Sequence, residues 1–155
     1  MRRKKSTGTS RTPSEYEEFL RALKLIGLGL ENCSATLNLG TYFGATEKGE
    51  GVRQIQARYR LDAKGSNFFE PTAQFKLAMT TKKDQKSALL INCVFSAHFH
   101  VADETMSDEH AERFTNSEFR VIMWPYFRQL VMDLTARMSI PPLIIPFASP
   151  AELRQ

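Results

Sequence analysis

The sequence has no apolar run long enough to cross a membrane as a helix, and its basic start is followed by Ser, Thr and Gly rather than an apolar stretch. These absences exclude a helical membrane protein and a secretory leader, so a cytoplasmic location is expected. Cysteine is scarce. Cys33 and Cys93 are too few for a disulfide framework, and a reducing compartment suits them as buried small apolar residues. No glycine-rich phosphate loop and no serine-centred nucleophile motif occurs, and neither cysteine has a basic neighbour to lower its pKa. His98 and His100 point the same way on one strand, but two ligands are too few for a tight metal site, and His110 adds none. The expectation is a protein without catalytic residues, cofactor or metal, and so not an enzyme.

Acidic residues are missing from residues 1–12, which carry Arg2, Arg3, Lys4, Lys5 and Arg11. The net charge of +4 therefore belongs to this tail, because the remainder holds 16 basic against 17 acidic residues. The body is not read as a nucleic-acid-binding surface. Residues 1–12 are expected to be a disordered tail, either a solubilising leader or an electrostatic hook for RNA or an acidic partner. Residues 13–155 are one domain by length.

What is present is apolar periodicity. Thr12-Pro13-Ser14-Glu15 has the spacing of a capping box, and Tyr16, Phe19, Leu20 and Leu23 follow at helical spacing, predicting a short helix to about Lys24. From Ile26 the period becomes two, and its parity switches between Leu30 and Cys33. One extra residue does this, so a β-bulge is expected near Glu31–Asn32 in a first strand reaching Leu39. Residues 40–51 contain four glycines and read as a connection. Tyr42 and Phe43 within it are either core anchors or a contact surface. Further strands are expected over about 53–62, 72–81 and 87–101, with residues 82–86 as a turn and 102–114 as a loop or frayed turn.

The stretch from Thr115 to Phe147 carries most information. Thr115 and Glu118 have capping-box spacing, and Phe119, Met123, Tyr126, Leu130 and Leu134 form one apolar stripe, predicting a single helix to Met138 with a kink or break at Pro125. Val121, Trp124, Val131 and Met132 lie off that stripe. A helix apolar on two sides must bury both, and these four residues are the expected oligomer interface. Pro141, Pro142 and Pro146 keep Leu143, Ile144, Ile145 and Phe147 on a non-helical segment. The fold class is α+β: a four-stranded antiparallel sheet packed against a long C-terminal helix.

Trp124-Pro125-Tyr126, Arg128, a hydrophobic run with Arg137, and Ile140-Pro141-Pro142-Leu143 resemble the SecB family of export chaperones. The resemblance implies a SecB-like fold, assembly as a dimer of dimers, and ATP-independent holding of unfolded polypeptide in apolar grooves. The groove loops correspond to residues 40–51 and 139–147, which makes Tyr42, Phe43, Leu143, Ile144, Ile145 and Phe147 the client-binding candidates. The family docks a translocation ATPase through acidic sheet positions, whereas Lys82-Lys83-Asp84-Gln85-Lys86 is basic, and the second helix beginning near Ser149 is short. These departures favour a chaperone dedicated to one client, such as the antitoxin of a toxin–antitoxin–chaperone system, over a general preprotein-export chaperone. A reading from another class is a nucleic-acid-binding adaptor using the basic tail, whose binding would fall steeply with salt.

Overall fold

The computed structural model describes residues 14–102 and 106–146. The tail of residues 1–12, the segment after Pro146 and with it Phe147 lie outside the described residues. Ser14 accepts from the Glu17 amide while the Glu17 carboxylate accepts from the Ser14 amide, closing a capping box that starts α1 (Glu15–Ala22). The cap is therefore two residues later than Thr12-Pro13 suggests.

The chain then runs through β1 (Leu23–Leu37), α2 (Leu39–Glu47), β2 (Gly51–Lys64), β3 (Phe68–Thr81), β4 (Ser87–Val101), α3 (Asp108–Asn116) and α4 (Glu118–Arg137). The strands form one antiparallel sheet in the order β1-β4-β3-β2. β1 and β2 are consecutive in sequence yet occupy opposite edges, so residues 38–50 carry the chain across the end of the sheet. The Cα register jumps between Leu30 and Asn32, leaving Glu31 as the bulged residue where the parity switch predicts one, and a second shift isolates Ile26.

β3 begins before its expected start because Pro71 does not stop it. Pro71 stands opposite Leu61, where the β2 register slips past Asp62, and the recorded pairing with β4 passes from Phe69 to Thr72. The missing proline donor falls at a ladder interruption, one of the few places a sheet tolerates it. Between β2 and β3, a Cβ on Gly65 would lie 2.2 Å from the Phe68 ring, so any other residue there would require that ring to move.

The core lies between one sheet face and the helices. Phe75 of β3 stacks on Phe127 of α4 with ring centroids 4.4 Å apart, and Phe69, Phe99 and Phe114 meet edge-on or stacked nearby. The α4 residues facing the sheet are Phe119, Met123, Phe127, Val131 and Thr135, a strict four-residue step. This corrects the expected stripe in two places. Tyr126 is exposed, and Val131, expected at an oligomer interface, is fully buried within the single chain. Phe127 heads the true stripe after Met123, and Val131 lies one turn below it.

The expected single helix is two. Thr115 is buried in α3 and donates its hydroxyl to the Ala111 carbonyl, and Ser117 has φ −123° and ψ −82°. Its Glu118 partner instead accepts from the Tyr16 hydroxyl at 2.6 Å, joining α1 to the start of α4. α4 runs through Pro125. Pro125 and Val121 both lie on the exposed side, where water can satisfy the carbonyl that Pro125 cannot. Cys33 is exposed rather than buried because β1 is an edge strand largely uncovered by helix, although it stands directly opposite the buried Cys93.

Candidate client-binding surface

Residues 40–51 are largely helical, not a glycine-rich loop. The Asn38 amide donates to the Ala88 carbonyl at 2.9 Å, which pins the helix start to the beginning of β4. The Asn38 side chain accepts from the Thr41 amide at 3.0 Å, capping α2. The helix closes at Gly49 with φ +63°, a left-handed conformation that favours glycine, while the Glu50 amide returns to the Ala45 carbonyl. Tyr42 is 5% exposed and belongs to the core, with Phe43 edge-on to its ring. Phe43 is 44% exposed. Leu39, four residues earlier on the same helix side, is exposed as well. Tyr42 is thus a core anchor, and Phe43 is available at the surface. Leu39 was hidden from sequence reasoning because it continues the β1 alternation. The available signal was Asn38, a good N-cap residue three before Thr41.

The segment after α4 is a fixed extended strap. α4 ends with Ser139 at φ +59°, the Ile140 amide donates to the Thr135 carbonyl, and the Leu143 amide donates to the Thr135 hydroxyl at 2.9 Å. Leu143 and Ile145 point into the core, and Ile144 between them is 71% exposed. Three successive carbonyls of the strap accept from side chains. Arg53 of β2 reaches Ile144 at 3.3 Å, Arg128 reaches Ile145 at 2.6 Å, and the Trp124 indole reaches Pro146 at 3.3 Å. Trp124 and Arg128 are one helical turn apart, so the Trp-Pro-Tyr-x-Arg motif is the clamp that holds the strap on α4. Trp124, expected at an oligomer interface, is partly buried against Phe75 and Phe127 of its own chain.

α2 and the strap meet the sheet at the same end of β2. Ala45 lies close to Gly51, and Arg53, two residues along, holds the Ile144 carbonyl. Leu39, Phe43 and Ile144 are the exposed apolar side chains of these two segments, and β2 beside them is an edge strand. Of the sequence-stated candidates, Phe43 and Ile144 are surface residues, whereas Tyr42, Leu143 and Ile145 are core residues. A second exposed apolar set lies on α4, where Val121 is 60% exposed and Ile122 and Tyr126 accompany it; Met132 is partly buried. A third lies on β1, with Leu25, Ile26 and Leu30.

The histidines have local partners. His98 Nδ1 lies 2.7 Å from a Glu70 carboxylate oxygen, and His100 Nε2 lies 3.1 Å from the Asn67 amide nitrogen. Burial pushes the Cys93 thiol up to about 12, and raises Cys33 too, so neither favours a thiolate.

Residues 43–148 match the family model described as preprotein translocase subunit SecB. No curated protein sequence matches the chain. Among solved structures, the Mycobacterium tuberculosis SecB-like chaperone Rv1957, in complex with a ChAD peptide from the Rv1956 HigA1 antitoxin, superposes with a TM-score of 0.71 at 17% identity. The match covers 87% of this chain and 96% of that one. A Streptococcus agalactiae protein of unknown function gives a TM-score of 0.44 at 10% identity, covering 81% and 97% of the respective chains.

Proposed function

The chain belongs to the SecB family, and from that premise we propose that it is an ATP-independent chaperone holding an extended client between α2 and the strap. The observation that carries the reading is that α2 and the strap, which meet the sheet at the same end of edge strand β2, expose Phe43 and Ile144, with exposed Leu39 at the β4 end of α2. Apolar client side chains would bury against these three, and the client backbone could pair with the free edge of β2. The antitoxin peptide bound by the mycobacterial protein supports a dedicated client of the same kind here. The export reading is favoured by the family's description. Against it, β2, β3 and β4 carry only two carboxylates, Asp62 and Glu70.

The test is binding of a labelled unfolded polypeptide to wild type and to Phe43→Ser with Ile144→Ser. Weaker binding at an unchanged melting temperature is expected, with no response to ATP. Unchanged affinity would remove the groove from the account, and ATP-dependent release would remove the passive mechanism. Identifying the protein that co-purifies with the native chain separates an antitoxin from a preprotein client.

The uncovered apolar residues of α4 and β1 support a homo-oligomer in which Val121 is an interface residue. Light scattering after gel filtration tests it: a tetramer is expected, and a monomer at micromolar concentration would overturn it. The cytoplasm is the proposed location, and no described helix is long and apolar enough to cross a membrane.

A further inference from the structure

The sheet face turned away from the helices carries a second surface, unrelated to the apolar residues above. Alternation and register place Arg58 and Arg60 of β2, Thr72, Gln74 and Lys76 of β3, and Val94 of β4 on this face. Arg58 stands opposite Gln74, Arg60 opposite Thr72, and Lys76 one row further on, opposite Gln56. A recess of about 460 Å³ is lined by Arg58, Arg60, Thr72, Gln74 and Val94, with Arg120 of α4 contributing at the β2 side. The acidic residues of the three strands are already engaged. Asp62 pairs with Arg60 at 3.0 Å, and Glu70 pairs with His98 at 2.7 Å. Arg58 and Lys76 are exposed and make no ion pair among the described residues.

We propose that this recess binds an acidic polypeptide segment in extended form, its carboxylates paired with Arg58 and Lys76. Charge complementarity selects the sign of the partner. The spacing selects its form: the rows of Arg58 and Lys76 lie two residues apart along the sheet, and alternate side chains of an extended peptide advance by the same step, about 6.8 Å. A guanidinium matches a carboxylate bidentately, and Thr72 and Gln74 beside it can bond peptide groups. A single-stranded nucleic acid would call for aromatic platforms between the cations. The aromatic residue of the recess lining, Tyr59, packs its ring on Phe75 and Phe119, and the outward Thr72, Gln74 and Val94 offer no ring between the cations.

The probe is a short fluorescent peptide of alternating glutamate and serine, titrated with the full chain at low ionic strength. Arg58→Glu with Lys76→Glu should weaken binding by about tenfold, as reversal of interfacial charges does. Lys82→Glu with Lys83→Glu makes the same net charge change at the β3–β4 turn and should alter affinity by less than about twofold. Equal losses from the two double variants would reduce the effect to net charge and overturn the proposal. So would an oligouridylate that displaces the peptide at a lower concentration than the unlabelled peptide does. Phe43→Ser should leave peptide affinity unchanged; a matching loss there would move the peptide to the client surface and end the separate assignment. If the charge reversals unfold the chain, Arg58→Gln with Lys76→Gln gives the same reading at smaller amplitude.

Discussion

α2 and the strap after α4 are the two apolar stretches that compositional reasoning treats alike, and they expose their residues by different rules. On α2 the period is helical, so Leu39 and Phe43 share an outer side while Tyr42 and Ala45 turn inward. On the strap the period is two, so Ile144 faces out between buried Leu143 and Ile145. The apolar residues of the two segments are thus a mixture of buried and exposed side chains, sorted by backbone geometry. The two segments also differ in how they are held. α2 is fixed by its caps, by the Asn38 amide on the Ala88 carbonyl and by buried Tyr42, whereas the strap takes side-chain donors from Arg53, Arg128 and Trp124.

The comparison can be broken most forcefully beneath both segments. Val131→Asp would place a charge in the core under α4, and a loss of several kcal/mol is expected because nothing buried there can pair it. Denaturant titration checks this: a folded chain of wild-type stability that only fails to oligomerise would restore Val131 to an interface. Next, Tyr42→Ala should cost about 3–5 kcal/mol and Ile145→Ala about 2–5 kcal/mol. Phe43→Ala and Ile144→Ala should each change stability by less than about 1 kcal/mol while weakening client binding. Similar melting temperatures across the four variants would erase the distinction between anchor and contact.

Arg128→Ala acts on one region only. Its side chain holds the Ile145 carbonyl, a hydrogen bond to a charged group whose loss is expected to cost roughly 1.5–3 kcal/mol. Amide exchange should rise across residues 143–146 and stay unchanged in α2. Faster exchange in both would show that the strap also supports α2.

Alkaline pH gives the most general perturbation. Burial raises the Tyr59 hydroxyl to about 12, and burial with the Glu118 hydrogen bond raises Tyr16 to about 12. Both phenols are favoured neutral in the fold, so their contribution is complete below pH 10, the unfolded value, and falls as pH rises through 12. Stability measured from pH 9 to 12 should decline across that window, and a flat profile would contradict it.

Much of the fold is legible in the sequence. Period-two alternation gave four strands, the parity switch located the bulge at Glu31, and the Trp124–Leu143 motif pointed to the family. These are local signals, written in the spacing of neighbouring side chains. Whether a residue is covered depends on what packs over it, and that is not local. Val131 is core and Tyr126 is exposed because the sheet meets α4 along Phe119, Met123 and Phe127, one position round from the stripe with equal apolar content. Cys33 is exposed because the crossing of residues 38–50 sends β2 to the far edge and leaves β1 at its own. Sequence determined the elements and their order; the tertiary structure decided which faces they bury, because burial is fixed by the partner surface and not by the residue that meets it.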